Sequence, residues 1–428
     1  MDVLEQLERV AGPQLPAARA VARTLGAAGF RTWLVGGSVR DLLLGRAVHD
    51  LDLVSAATPD QVEALFPRTL SVGRAFGVVR VLQDGADLEV ATFRVERGSL
   101  DARHPAELAL VETPEEDATR RDFTLNALYL DPLDGELRDP VGGRSDLEAR
   151  VLRAVGDPRE RFEEDALRLL RMVRFLAHLE LQPAPGLLDA ARAAAPGLAR
   201  ISRERILEEC DKIGAGRGLE RAVELLGSCG LLEQAFPHLV GGGTAPSVRA
   251  AVAATLAEGA SRSAAGHDLL LALLDLEPGA PERLARLEAA CTALPLARGR
   301  AALLLEAWRR LEALRAEHLE SPGAGDAAAL ARLVRGPAGT AGLDLGRAWD
   351  LALGRGAEPW DTLAAWASSR DLEPTPLLQA RDLLTRGVAP GPRVGALLRA
   401  AEDEQLRGAL RGREEALVWL EAQLASEA

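Results

Sequence analysis

The chain has 428 residues, is 47% hydrophobic and carries a formal net charge of -13. It is too long for one ordinary core and too acidic to coat nucleic acid non-specifically. No run of 18 apolar residues marks a membrane span, and the start MDVLEQLERVAG lacks a basic-then-apolar leader pattern. Cys210, Cys229 and Cys291 are too widely spaced for a zinc site or a disulfide framework, which points to a reducing cytoplasm. Lys212 is the single lysine. The basic side chains are therefore planar guanidinium forks, suited to phosphate and to base edges.

Residues 2–28 have helical apolar spacing and predict one helix. RTWLVGG predicts a strand running into a glycine turn, and SVRDLLLG a helix that stops at Gly45. DLDLVS predicts a second strand. TPDQVEALF predicts a helix with Thr58 as N-cap, Pro59 in its first turn and Gln61 closing a capping box. FGVVRVLQDGADLEVATFRV alternates and breaks at Asp84-Gly85, which predicts a hairpin. FTLNALYLD is apolar enough for a further helix or strand. From Asp157 onward helices follow one another, with breaks expected at 182–186, 241–246, 321–325, 335–342, 372–376 and 387–395.

HDLDLV places Asp50 and Asp52 around Leu51. In an extended chain both carboxylates share a face, about 7 Å apart at their Cα atoms. Such a pair is repulsive until a divalent cation sits between them; a solvated edge strand is the other reading. Upstream, Gly36 and Gly37 separate a strand from a helix, which suits close approach of a triphosphate. Arg40, in the first turns of that helix, would neutralise phosphate or pair with Asp41. A third carboxylate, Glu89, lies in the predicted hairpin. A phosphate cradle with three carboxylates is the equipment of two-metal nucleotidyl transfer.

These residues carry a resemblance. VGGSVRDLLLGRAVHDLDLVSAATPDQV, RRDFTLNALY, DPVGGRSDLEARVLRAVGDP, RFEEDALRLLRMVRF and ISRERILEECDKI, in that order, resemble the five motifs of the tRNA nucleotidyltransferase/poly(A) polymerase family of the polymerase-β superfamily. The similarity is dense over residues 31–214. It implies an α/β nucleotidyltransferase head with a mixed, polymerase-β-like sheet, followed by an all-α neck, body and tail. The expected boundaries are head 1–138, nucleotide-selecting neck 139–215, body 216–320 and tail 321–428, the tail binding tRNA. NALY, where the family has NAMA, and VSAATP, where it has ATSATP, are mild departures.

The resemblance implies that Asp50 and Asp52 hold Mg2+, with Glu89 as a third catalytic acid. Gly36, Gly37, Ser38 and Arg40 would line the triphosphate, and Arg121, Asp122 and Asn126 would lie at the nucleotide. Capping is the alternative for Asp122 and Asn126. Asp165 and Arg168, three apart, would share one helix face and offer an acceptor and a donor matching cytosine and adenine but not guanine or uracil. An ordinary ion pair, with Glu164 competing for Arg168, is the other reading. Arg171 and Arg174 continue that face. DARHP, 101–105, resembles the loop that helps to switch from C to A addition. His267-Asp268 lacks companion metal motifs and reads as helix packing.

The expected function is template-independent addition of CCA to tRNA 3′ ends from CTP and ATP, by a cytoplasmic monomer or dimer without membrane contact. Alternatives are an A-adding enzyme working with a CC-adding partner, and a poly(A) polymerase, which the acidic C-terminus disfavours. A non-catalytic RNA-binding relative is the remaining class.

Overall fold

A computed structural model describes residues 3–48, 50–71, 74–97, 107–236, 252–253, 283–317 and 326–426. Two compact units are present. One comprises Met1–Ile206 and Cys229–Ala235, the other Leu207–Ser228 and Phe236–Ala428.

The first unit begins with α1 (Val3–Val10) and α2 (Leu15–Ala27). The single helix expected over 2–28 is thus divided. Gly12 adopts a positive φ of 61° and Pro13 brings no N–H, so the chain turns through a short 3-10 segment, Gly12–Gln14. There follow β1 (Thr32–Val35), α3 (Gly37–Leu43), β2 (Leu53–Ser55) and α4 (Pro59–Leu65). The capping box forms as the sequence predicts: Thr58 accepts from the Gln61 N–H, and the Gln61 side chain accepts from the Thr58 N–H. Strands β3 (Thr69–Leu70), β4 (Val78–Gln83) and β5 (Ala86–Thr92) complete this half of the sheet. The β4–β5 hairpin turns at Asp84 and Gly85, both with positive φ, as a two-residue turn between twisted strands requires.

Strands β6 (Arg94–Arg97) and β7 (Glu107–Leu110) form a separate antiparallel pair. After α5 (Pro114–Ala118), residues Thr124–Asn126 form a 3-10 turn rather than a helix, and β8 (Tyr129–Leu130) and β9 (Leu137–Arg138) follow. The main sheet has seven strands in the order β3-β4-β5-β2-β1-β8-β9. Only β2 and β5 run parallel, so the sheet is mixed, as expected.

The two sheet faces bury different residues. Leu34, Leu53, Val79, Val81, Leu88, Val90 and Leu130 pack with apolar residues of α1 to α4. Trp33, Val35, Val54, Phe93 and Tyr129 form the smaller core of the other face. Alternation along β2 and β5 places Asp52 and Glu89 on this second face, since Leu53 and Val90 occupy the first.

Next come α6 (Gly143–Glu148), β10 (Val151–Leu152), α7 (Pro158–Glu164), α8 (Leu167–His178), β11 (Gln182–Pro183) and α9 (Leu187–Ala194). In the short parallel pair β10–β11, the first strand precedes Asp157 and the second lies in the break expected at 182–186. Helices α10 (Arg203–Ala215), α11 (Leu219–Ser228) and α12 (Leu231–Ala235) complete this stretch.

The described remainder of the second unit is helical: α13 (Arg283–Ala293), α14 (Arg298–Glu317), α15 (Ala327–Val334), α16 (Gly336–Ala352), α17 (Glu358–Ser368), α18 (Ala380–Leu384), α19 (Pro392–Leu406) and α20 (Arg413–Ser426). The break expected over 335–342 is confined to Arg335, and the glycines beyond it lie inside α16. Packing overrides their low helix propensity. A Cβ at Gly342 would lie 3.0 Å from the Ala307 carbonyl oxygen on α14, and one at Gly346 would lie 2.2 Å from the Trp360 ring on α17. The glycines therefore form the flat surface on which these helices meet. The expected breaks at 241–246 and 321–325 lie outside the described residues.

Candidate active site

The glycine turn leaves β1 at Gly36, whose φ of 73° and ψ of -128° only glycine adopts readily. Here the chain enters α3, whose first N–H groups have no intrahelical partner. The Ser38 hydroxyl is occupied, donating to the Val35 carbonyl at 3.0 Å, so it pins the turn. Two guanidinium groups flank the glycines. A Cβ at Gly36 would lie 3.7 Å from Arg121 Nη1, and one at Gly37 would lie 3.6 Å from Arg40 Nη2. The expected Arg40–Asp41 pair forms at 2.9 and 2.8 Å, and Arg40 Nη1 also donates to Asn126 at 2.9 Å.

Asp50 and Asp52 precede β2 rather than lying within it, a correction to the expected strand DLDLVS. Extended pairing nevertheless begins at Asp52, whose carbonyl accepts from the Val35 N–H at 3.1 Å. Asp52 is solvent-accessible but walled by protein. Desolvation, together with repulsion from Glu89 and Asp50, pushes its carboxyl up to about 6, against the pull of Arg121. A divalent cation would relieve that repulsion. Among the described residues no three His, Cys, Asp or Glu side chains form a closed metal cluster. Magnesium, however, takes one or two carboxylates together with waters and substrate phosphates, and Asp50 with Asp52 is such an open donor set.

The RRDFTLNALY segment joins this turn to α8. Asp122 accepts from the Phe123 N–H at 2.8 Å, the Asn126 amide at 3.0 Å and Arg171 Nε at 2.7 Å. Burial alone would raise the Asp122 carboxyl. Arg171 and these hydrogen bonds outweigh burial and hold it below the usual carboxylate range. A chain of contacts therefore runs from Arg171 through Asp122 and Asn126 to Arg40. The Arg40, Arg171 and Arg174 guanidinium groups lie over the Phe175 ring at 5.1, 5.4 and 4.4 Å.

Asp165 and Arg168 do not lie within one helix. Asp165 is extended, with φ -147° and ψ 103°, and separates α7 from α8. Its carboxylate caps α8 through the Leu167 N–H at 3.1 Å and pairs with Arg205 at 2.7 Å. Arg168, in the first turn of α8, pairs with Glu164 at 2.6 Å and donates to the Arg161 and Arg120 carbonyls at 3.0 and 2.9 Å. The competing Glu164 pair is therefore made.

Two residues of this site were not singled out from the sequence. Asp117 is fully buried and binds Arg120, Arg121 and the Tyr129 hydroxyl. Its spacing, three and four residues before two arginines, was the available signal. Tyr129, the only tyrosine, closes NALY and reads from sequence as no more than a mild motif departure. DARHP and His267-Asp268 lie outside the described residues.

Residues 32–153 match the Poly A polymerase head domain, and residues 180–241 match the Probable RNA and SrmB- binding site of polymerase A. The CCA-adding enzyme of Bacillus pumilus (strain SAFR-032) is 44% identical over 214 residues, 50% of this chain and 53% of the relative. That of Streptococcus gordonii is 45% identical over 213 residues, 50% and 53% of the two chains. The aligned part thus spans about half the length of these curated relatives. The Bacillus stearothermophilus CCA-adding enzyme in complex with CTP superposes with a TM-score of 0.68 at 28% identity, covering 97% of this chain and 98% of that one. The Thermotoga maritima CCA-adding enzyme complexed with tRNA_CCA shares the fold, with a TM-score of 0.72 at 20% identity over 99% of each chain. The head and RNA-binding regions match in that order along residues 32–241, and over this part the chain is similar to the tRNA nucleotidyltransferase/poly(A) polymerase family.

Proposed function

We propose that the protein adds C and A to tRNA 3′ ends, without a nucleic-acid template, from CTP and ATP. The observation that carries this reading is Asp52, repelled by Glu89 and Asp50, beside a glycine turn flanked by Arg40 and Arg121. A site of that charge pattern suits a metal-bound triphosphate. The relatives named CCA-adding enzyme, and the solved relative in complex with CTP, support the same substrate class.

In this reading Arg40 and Arg121 hold phosphate oxygens, and the first N–H groups of α3 hold others. Asp50 and Asp52 would hold Mg2+, which when bound supplies charge stabilisation for the attacking hydroxyl and the leaving group. Arg168 donates to the base and Asp165 accepts from it, displacing Glu164 and Arg205 respectively. The neck, 139–215, then selects the nucleotide made reactive by the head, 1–138, and the body, 216–320, and tail, 321–428, hold tRNA. Among the described residues no helix is long and apolar enough to cross a membrane. The acidic charge and the wide spacing of the three cysteines are in keeping with a cytoplasmic enzyme.

The test offers the purified protein tRNAs ending before CCA, after C and after CC, with each nucleoside triphosphate alone and with CTP plus ATP. Completion of CCA from all three ends supports the proposal. Extension only of the CC end identifies an A-adding enzyme, and long A tails identify a poly(A) polymerase. No incorporation with Mg2+ leaves a non-catalytic RNA-binding relative.

A further inference from the structure

Asp117 sits at the end of α5 with no solvent exposure. Donors from four residues converge on its carboxylate: the Arg94 N–H at 3.2 Å, Arg120 Nε at 2.8 Å, Arg121 Nη2 at 2.8 Å and the Tyr129 hydroxyl at 2.8 Å. The Tyr129 hydroxyl in turn accepts from Arg121 Nε at 2.9 Å, and the Arg121 guanidinium lies 5.2 Å from that ring. A buried carboxylate is costly unless it is paired and hydrogen-bonded. A residue needed only for packing would not require one.

Two partners of Asp117, Arg121 and Arg120, lead to different parts of the candidate site. Arg121 reaches the glycine turn, and Arg121 Nη1 also donates to the Asn126 carbonyl at 3.4 Å. The Arg120 carbonyl receives Arg168 Nη2 at 2.9 Å, and the Thr119 carbonyl receives Arg161 Nη1 at 2.7 Å. Arg94 opens β6. One carboxylate therefore fixes both the guanidinium beside the glycine turn and the main chain on which Arg168 rests.

We propose that Asp117 is a positioning residue for nucleotide addition, aligning Arg121 with the triphosphate and, through the Arg120 carbonyl, Arg168 with the base. This rests on the nucleotidyl-transfer reading above. Asparagine at this position keeps the size but loses the charge that holds two arginines. Both the rate and the choice of nucleotide then suffer, because an ångström of misplacement costs orders of magnitude in rate.

The experiment compares the parent with Asp117→Asn and Tyr129→Phe. The second is a milder change that removes one hydrogen bond to Asp117 and one from Arg121. Thermal midpoint and folded fraction are measured alongside kcat and KM for CTP and ATP, the CTP-over-UTP preference, and tRNA affinity. Per folded molecule, Asp117→Asn should lose roughly 10- to 100-fold in kcat and narrow the CTP-over-UTP preference, with tRNA affinity unchanged. Tyr129→Phe should move both in the same direction by less. A lowered thermal midpoint with parental kcat and preference per folded molecule would overturn the proposal. If Asp117→Asn fails to fold, Tyr129→Phe decides by the same criterion. If the parent itself adds no nucleotide to any tRNA, the functional reading fails separately. Equilibrium CTP binding then decides: weakening in both variants supports the positioning role, and parental binding overturns it.

Discussion

Arg171 donates to Asp122 at 2.7 Å across 49 positions of sequence, tying α8 to the turn that carries Asn126 and, through it, Arg40. Asp122 is 8% exposed in its side chain and Arg171 32%. Removing the acid therefore strands a charge that water reaches, whereas removing the arginine strands one that water does not. Asp122→Ala should destabilise the first unit by about 2–3 kcal/mol through its lost hydrogen bonds, and Arg171→Ala by about 3 kcal/mol or more through a buried carboxylate left without its cation. Thermal and urea unfolding of both variants would check the order. Because the Asp122 carboxyl is held below its ordinary value, its contribution is complete above about pH 4 and is lost as pH falls further. The gap between parent and Asp122→Asn should accordingly close in acid.

Asp50→Ala or Asp52→Ala should reduce nucleotide addition by at least about 10²- to 10³-fold while tRNA binding persists. Single-turnover incorporation with Mg2+ reads the first effect and a filter or polarisation titration the second. Near-parental turnover in either variant would contradict the metal assignment.

Asp52→Asn has a second consequence. The Asp52 carboxyl is raised to about 6, so its contribution to stability is complete below about pH 4 and is lost as pH rises through 6. In metal-free protein the variant should melt higher than the parent at pH 7.5 and no higher at pH 4. Saturating Mg2+ should stabilise the parent and leave the variant nearly unmoved. A parent that melts higher at pH 7.5 without metal would contradict a repulsive carboxylate site.

Asp165→Ala and Arg168→Ala should lower kcat/KM for CTP and ATP and raise the relative use of UTP and GTP. The two variants need not be equal. Arg168 is 9% exposed and rests on two carbonyls, so Arg168→Ala should also cost about 1–3 kcal/mol of stability, whereas Asp165 has mainly an α8 cap to lose, worth about 1 kcal/mol. Steady-state kinetics with all four nucleotides decides; an equal loss for every nucleotide would make the pair structural.

Gly346→Ala should destabilise the second unit by about 1–3 kcal/mol or more, since its Cβ would enter the Trp360 ring. Gly143→Ala should do the same in the first unit, its Cβ falling 2.1 Å from the Thr124 carbonyl oxygen. Gly412→Ala, with nothing within 4 Å, is the matched control for both. Equal melting of all three would mean that the glycines are not needed for close approach.

The amino-acid order by itself determined the features that depend on neighbours in the chain. The Thr58 cap, the Asp84-Gly85 hairpin and the turn at Gly36 follow from local hydrogen bonding and φ preference, and each forms as predicted. Motif order carried the family resemblance, because five short patterns at the right spacing are jointly specific. Tertiary structure decided what depends on distant partners. Leu53 and Val90 had to take the buried sheet face before Asp52 and Glu89 shared the other. Asp165 left the helix to cap α8 and meet Arg205, which spacing alone could not foresee. The glycines of α16 read as a break because propensity is local, but a flat surface against Ala307 and Trp360 recovers more in packing than the helix loses in entropy.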